Sequence, residues 1–332
     1  MDKIDFVITW VDGNDIEWQQ KKQKYESRKN DKDANNIIRY RDYGLLKYWF
    51  RSIEKFAPWV NKIYLITDHQ VPKWLRENDK LIVVFHDDYI PEKYLPTFNS
   101  NVIELFMHRI KGLSEHFVYF NDDMYIVDDV NVNDFFVNSL PCDQLVFNSV
   151  SVEDKNNIVE HIILNNLELV SNSYSKKEVI KNGKRKVFNI KYGKSNIRNF
   201  LLLPWKKYTG MYNPHVPIAY RKSTIEEVWS KYGEELLSTA EHKFRSKLDY
   251  SHWLYRYYQL LSLDFVPKSN KRSCYYSVEN NNSLFLSEIK KHKYNMICIN
   301  DNDETVNFDT VKEELVSFFD DFLPEKSSFE KD

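Results

Sequence analysis

Four short apolar runs, each closed by acidic or polar residues, set the strongest constraint on this chain. Ile4–Trp10 runs into Val11-Asp12-Gly13-Asn14-Asp15, Ile63–Thr67 into Asp68, Leu81–Phe85 into His86-Asp87-Asp88, and Phe117–Phe120 into Asn121-Asp122-Asp123. Runs this short and this rich in β-branched and aromatic residues predict buried strands. Between the first two, Leu45, Leu46, Trp49, Ile53 and Phe56 recur at helical spacing until Pro58 stops them. The alternation predicts an α/β fold with a mostly parallel sheet flanked by helices. In such sheets ligand sites collect beyond the carboxyl ends of the strands. The acidic strand ends are therefore the first place to look for chemistry, although Asn-Asp-Asp alone is ordinary turn composition.

The remaining segments carry weaker signals. Residues 17–38 are mostly Lys, Gln, Glu, Asn and Asp and predict a mobile loop or solvated helix with no share in the core. Asp42 is placed to cap the helix that follows it. Ser100 to Leu113 predicts a helix with Ile103, Phe106 and Ile110 inward, while Ser100, Glu104 and His108 share another face. Glu104 there is either half of a capping box with Asn101 or part of a polar row facing a site. Ser223 or Thr224 should cap a helix reaching about Leu237, and an aromatic helix should run from about Tyr250 to Leu263. Met296–Ile299 predicts a last strand before Asn300-Asp301, and Phe308–Leu323 a closing amphipathic helix, with a frayed polar end.

Composition removes several function classes. A net charge of −2 gives no global field for nucleic acid, and with only 7 Gly there is no glycine-rich phosphate loop. Phosphate, if bound, must be held by Lys, Arg or a metal. Cys142, Cys274 and Cys298 have no metal-ligand spacing and an odd count, so the expectation is a reducing compartment without disulfides. No leader peptide and no membrane-spanning run is visible, so the expected protein is soluble and cytoplasmic. One segment departs from the average: Ser171 to Tyr208 holds eleven Lys or Arg against one acid, Glu178. It is either a solvated, disordered insertion or a dock for an anionic acceptor or membrane surface.

Two strands end in Asn-Asp, at Asn121-Asp122-Asp123 and at Asn300-Asp301, and could grip one divalent cation from two sides. Arg39, Arg109, Arg221 and Arg245 could face a diphosphate held there. His215, set between Pro214 and the nearby Pro217, could accept a proton from an attacking hydroxyl. The residues alone thus point to a metal-assisted transferase acting on a phosphorylated or nucleotide-linked substrate.

Four blocks together resemble the Stealth family, bacterial capsular polysaccharide phosphotransferases related to the catalytic subunit of N-acetylglucosamine-1-phosphotransferase. The blocks are IDFVITWVDGND from Ile4 to Asp15, a long one from Arg39 to Met124, a third from His215 to Tyr258 with HVPIAYRKSTIEEVW and HKFRS, and CINDND from Cys298 to Asp303. The resemblance implies transfer of a sugar-1-phosphate from a UDP-sugar to a hydroxyl of a glycan or lipid-linked glycan, with release of UMP. It implies Mg²⁺ or Mn²⁺ at Asp123 with Asp301. Ser100, Glu104, His215 and Arg245 fall on active-site positions, with Arg109 a further phosphate-facing candidate. Trp10, Asp12, Gly13 and Arg39 are expected near the nucleotide. The implied architecture is that of a nucleotide-sugar transferase (GT-A/Rossmann-like) with an inserted basic segment. It divides into a nucleotide- and metal-binding half at 1–149, the basic insertion at 150–208, and a helical half at 209–332. No nucleic acid partner is expected, and contact with the inner face of the plasma membrane is an open alternative for the insertion. Two rivals stay open: a metal-dependent glycosyltransferase releasing UDP, and a non-catalytic carbohydrate-binding protein.

Overall fold

The computed structural model describes residues 3–26, 40–151, 157–301 and 307–331. Its strands are β1 (Ile4–Thr9), β2 (Ile63–Thr67), β3 (Leu81–Phe85), β4 (His116–Phe120), β5 (Met124–Ile126), β6 (Phe136–Val137), β7 (Leu140–Asp143), β8 (Ile218–Arg221), β9 (Val266–Pro267), β10 (Ser273–Ser277) and β11 (Met296–Asn300). The helices are α1 (Ile16–Gln23), α2 (Leu46–Phe56), α3 (Ser100–Leu105), α4 (Val159–Ser171), α5 (Lys176–Asn182), α6 (Lys184–Val187), α7 (Asn196–Leu201), α8 (Lys222–Ala240), α9 (Trp253–Leu261), α10 (Ser283–Lys290) and α11 (Phe308–Phe322).

The fold is α/β with mixed sheets. Five strands form the central sheet in the order β3-β2-β1-β4-β8. The first four pair in parallel, and β8 joins β4 antiparallel. A second sheet, β10-β11-β5, pairs β10 with β11 in parallel and β5 antiparallel. The pleat of the central sheet divides the core in two, because successive side chains leave a strand on opposite faces. Phe6, Ile8, Ile63, Leu65, Val118 and Phe120 pack with α2, α11 and the second sheet. Val7, Tyr64, Ile66, Phe117 and Tyr119 pack with α3, α8 and α9 on the other side. The wholly buried Asp5 holds the sheet's lower end: its carboxylate accepts from Asn61 Nδ2 at 2.7 Å and from the Ser114 amide at 2.7 Å.

Several local expectations are corrected. Trp18 of α1 is buried against Tyr40 and Phe98, so the polar stretch does contribute a core residue; residues 27–38 lie outside those described. Asp42 does not cap α2, whose N-terminal residue Leu45 makes no side-chain cap; its Oδ1 accepts from Gly44 N at 2.7 Å instead. α3 stops at Leu105, followed by a 3₁₀ turn at Met107–Arg109; Phe106 and Ile110 are buried as expected, Ile103 is half-buried against the same core, and Val102 and Leu105 join them. The cap of α3 is Asn99, accepting from Asn101 N, so the capping box of Glu104 with Asn101 does not form. Neither Ser223 nor Thr224 caps α8; Glu115 does so from outside, accepting from Ser223 N at 3.1 Å and from its Oγ at 2.5 Å. The chain's end is pinned, not frayed: Arg51 grips Glu330 through two hydrogen bonds of 2.8 and 2.7 Å, and Phe329 is buried. Finally, residues 171–208 are not a disordered insertion but a folded run of three helices and a 3₁₀ segment.

Candidate active site

The site forms where β1, β4 and β11 end. After β1 the chain turns through Asp12 and Gly13, and Gln70 clips the turn by accepting from Asp12 N at 2.9 Å and donating to Asp12 O at 3.0 Å. Gly13 is required there by close approach: a Cβ would sit 1.9 Å from the carbonyl oxygen of Tyr40. Trp10 stands at the same strand end, and its indole N–H faces the Asp42 carboxylate without a partner of hydrogen-bond geometry among the described residues.

β4 ends at Phe120, and Asp122 and Asp123 follow in a turn before β5. β5 pairs with β11, so Asp123 meets Cys298 and Ile299. The Ile299 amide donates to Asp123 O at 2.8 Å, and the Cys298 thiol donates to Asp123 Oδ2 at 3.2 Å. Asp301 lies two residues beyond Ile299, and Arg41 Nη1 is 3.3 Å from its Oδ2. Asp123 Oδ1 and Asp301 Oδ1 are both buried and lack a partner of hydrogen-bond geometry among the described residues, although the Tyr43 hydroxyl faces Asp301.

The electrostatics are those of crowded acids. Asp122 is pushed up to about 8, by burial first and then by the charges of Asp123 and Asp42. Asp123 is pushed up to about 6, again by burial, with the Cys298 thiol and Arg245 opposing. Yet Asp122 is exposed by surface area and Asp123 partly so. Water therefore reaches Asp122, while Asp123 Oδ1 is closed off.

Opposite these acids, α3 presents Ser100 and Glu104. Arg245 donates to Ser100 Oγ through Nε at 3.1 Å and Nη2 at 2.5 Å, and its charge acts on Glu104, Asp122 and Asp123. The wholly buried Asp249 sets this geometry. Its Oδ2 accepts from Asn99 Nδ2, Asn101 Nδ2 and the Ser246 amide, at 2.8, 3.0 and 2.9 Å, tying the start of α3 to the loop that carries Arg245. Glu104 is buried and accepts from the Tyr119 hydroxyl at 3.1 Å; its other oxygen is 3.9 Å from His252 Nε2. Burial holds the His252 imidazole down at about 3, so it is neutral, and its Nδ1 meets Tyr220 Oη at 2.9 Å.

Burial also raises Glu104 to about 7 from an ordinary 4.5, against the opposing pull of Arg245 and Tyr119. Since the folded value lies above the unfolded one, the native state keeps a proton that the unfolded chain gives up. The associated stability is fully present below about 4.5 and is lost as pH rises through about 7. Glu104→Gln should therefore gain on the wild type across that window, by on the order of 3 kcal/mol at its upper end. Denaturant midpoints at several pH values check this; a difference between the two proteins that does not change with pH would sink it.

His215 has left-handed backbone, φ 39°, and its ring lies 5.7 Å from Trp253 and 5.2 Å from Tyr275. Tyr275 belongs to β10 and is the register partner of Cys298, which places His215 on the β11 side of the site. His215 keeps an exposed surface, while the protein crowding around it lowers its pKa by desolvation.

Thus hydrogen bonds and charge link Asp123, Ser100, Glu104 and Arg245, and Asp301 adjoins Asp123 through the pairing of β5 with β11. Among the described residues His215 reaches them only through Trp253, Tyr275 and the charge it places on His252, and Asp12, with Trp10 and Gly13, lies at the β1 edge beside Asp42. The structure does not bring in Arg109, which is exposed with its guanidinium 5.8 Å from the Phe106 ring, nor Arg221, which is 3.3 Å from Asp264. Arg39 lies outside the described residues. The sequence does not mark Asp42, Arg41, Cys298, His252 or Asp249 as site residues. Asp42 and Arg41 adjoin each other in the second block and could have been found there; the others have no local signal.

Among the described residues no three His, Cys, Asp or Glu side chains converge as a complete cation cage. A hard cation such as Mg²⁺ does not need one, since it is commonly held by one or two carboxylates with water and substrate phosphates. The two orphaned carboxylate oxygens fit that mode.

Comparisons with known proteins place the chain in a family. Four family models match: Stealth protein CR1, conserved region 1, over residues 2–30; CR2, conserved region 2, over 39–143; CR3, conserved region 3, over 214–260; and CR4, conserved region 4, over 287–332. The capsular polysaccharide phosphotransferase WcwK of Streptococcus pneumoniae is 45% identical over 100% of this chain and 99% of its own length. The exopolysaccharide phosphotransferase cps2G of Lactiplantibacillus plantarum is 43% identical over 99% of this chain and 96% of its own. The receptor polysaccharide phosphotransferase WefC of Streptococcus gordonii is 40% identical over 99% of each.

Proposed function

The chain belongs to the Stealth family, and from that premise we propose that it moves a sugar-1-phosphate from a UDP-sugar to a hydroxyl of a glycan acceptor, releasing UMP. It is an enzyme, a phosphotransferase of capsular or exopolysaccharide synthesis. The observation that carries the donor assignment is the facing of opposite charges: Arg245, held on Ser100, acts on Asp122 and Asp123. The orphaned oxygens of Asp123 and Asp301 lie at adjoining strand ends. A diphosphate suits the space between guanidinium and carboxylates, provided a cation offsets the acids.

In this reading Asp123 and Asp301 hold Mg²⁺ or Mn²⁺, which when bound neutralises charge on the diphosphate. Arg245 binds the attacked phosphoryl oxygens, and Ser100 keeps the guanidinium aimed. His215, neutral near pH 7 because its pKa is lowered, takes the acceptor hydroxyl's proton on a ring nitrogen. The acceptor oxygen forms a bond to the β-phosphorus as the bond to the UMP oxygen breaks. The sugar's C1–O bond is untouched, so its anomeric configuration is retained. Asp12, Gly13 and Trp10 border the nucleotide, on the β1 end of a sheet we read as nucleotide-sugar-transferase (GT-A/Rossmann-like) architecture.

Incubation with a panel of UDP-sugars, Mg²⁺ and a glycan acceptor tests the reading. The expected products are UMP and a phosphodiester-linked glycan. UDP release with a plain glycosidic bond would overturn it in favour of ordinary glycosyl transfer.

A further inference from the structure

Residues 190–205 carry six large apolar side chains that face water: Ile190, Ile197, Phe200, Leu201, Leu203 and Trp205, from 40 to 93% exposed. Single exposed apolar residues are normal on a protein, but a run of them is a binding surface. In α7, Ile197, Phe200 and Leu201 stand three and four apart and so share one face. The opposite face is bolted down. Asn199 is wholly buried, accepts from Phe147 N at 2.6 Å, and donates to Leu145 O and Val187 O at 3.0 and 2.6 Å. Buried Lys176 donates to Leu202 O at 2.6 Å and Trp205 O at 2.9 Å, and so anchors the stretch after α7. Asn196 donates to Asn189 O at 2.7 Å and seats the turn holding Ile190 beside α7. The apolar face is thus presented outward by a rigid support.

The charge around it has one sign. Lys191, Lys194, Arg198, Lys206 and Lys207 are exposed within or just beyond the same run. No acidic residue occurs between Glu178 and Glu226, in a chain whose net charge is −2. An outward apolar stripe rimmed by Lys and Arg is the pattern of a segment that lies in a lipid interface, its apolar side chains entering the acyl boundary and its cations at the headgroups. A second copy of the chain is a poor occupant, because a twofold contact would set this basic rim against itself.

We propose that the face formed by residues 190–207 seats the enzyme on an anionic lipid bilayer. Among the described residues no helix is long and apolar enough to cross a membrane, so the contact is peripheral. The proposal is independent of the catalytic reading, since its assay measures lipid binding and not turnover.

The test is flotation of the full chain with vesicles of phosphatidylcholine alone or mixed with phosphatidylglycerol. The wild type is expected to float with the anionic vesicles and to be partly released by salt. Phe200→Ser/Leu201→Ser/Trp205→Ser should lower the bound fraction at least about tenfold with an unchanged melting temperature. If that triple variant fails to fold, Ile190→Ser/Leu201→Ser, at sites 93 and 67% exposed, serves instead. Lys206→Gln/Lys207→Gln should weaken binding and flatten its salt dependence. Failure of the wild type to bind anionic vesicles, or equal binding by the apolar variants, would overturn the proposal. So would a wild-type dimer that the triple variant breaks while vesicles are ignored, which would make the face a self-association surface.

Discussion

Asp123→Asn is expected to lower UMP release at least about a thousandfold while leaving the protein folded. The amide keeps the shape of the side chain, and the Asp123 carbonyl that accepts from Ile299 is backbone and unaffected. What is lost is one negative oxygen, Oδ1, buried without a partner. Burial already disfavours the charge at this position, so the neutral variant should melt at the same temperature as the wild type or above it. Calorimetric titration with Mn²⁺ gives a readout free of turnover: the variant should bind more weakly. A variant that turns over at the wild-type rate, or a wild type fully active in excess chelator, would remove Asp123 from the metal role.

Arg245→Ala comes next in size, with an expected loss of about 10²- to 10³-fold, mostly in kcat if the guanidinium acts on charge developing at phosphorus. The side chain is partly exposed and its direct partner is the Ser100 hydroxyl, so thermal stability should change little. Arg245→Lys should recover only a small part of the rate. A single ammonium cannot engage Ser100 through two nitrogens and still offer a fork to phosphate oxygens. Ser100→Ala should give a milder loss, because it releases the aim of the guanidinium and not its charge. Full rescue by Lys would reduce Arg245 to a general positive charge, and an equal loss of stability in Arg245→Ala would make it a structural residue.

Much of the site could be located before any coordinates, for a physical reason. A buried strand needs an unbroken apolar run, and the polar residues that end it announce where backbone and carboxylates reach solvent. The strands before Asp12-Gly13, Asp122-Asp123 and Asp301 were all legible in that way, each to within one residue at its ends. The helical spacing of α2 and α11 was equally plain.

Partnership was not legible, because it spans the chain. Ser100 meets Arg245 across 145 residues, and Asp123 meets Cys298 across 175. Asp42 and Asp249 show the difficulty most clearly. Locally, Asp42 is a respectable helix cap and Asp249 an unremarkable loop acid; in the folded molecule one adds charge beside Asp122 and the other joins α3 to the Arg245 loop. The same holds for residues 171–208. Their composition leaves a solvated insertion and an anionic dock equally open, but Asn199 and Lys176 find carbonyl oxygens supplied by distant segments and by the run itself, and the helices hold. Periodicity and residue type act over a few neighbours and so fixed the elements and their polar ends. Which carboxylate faces which guanidinium depends on how helices and sheets stack, and that was settled only when the two cores closed on the central sheet.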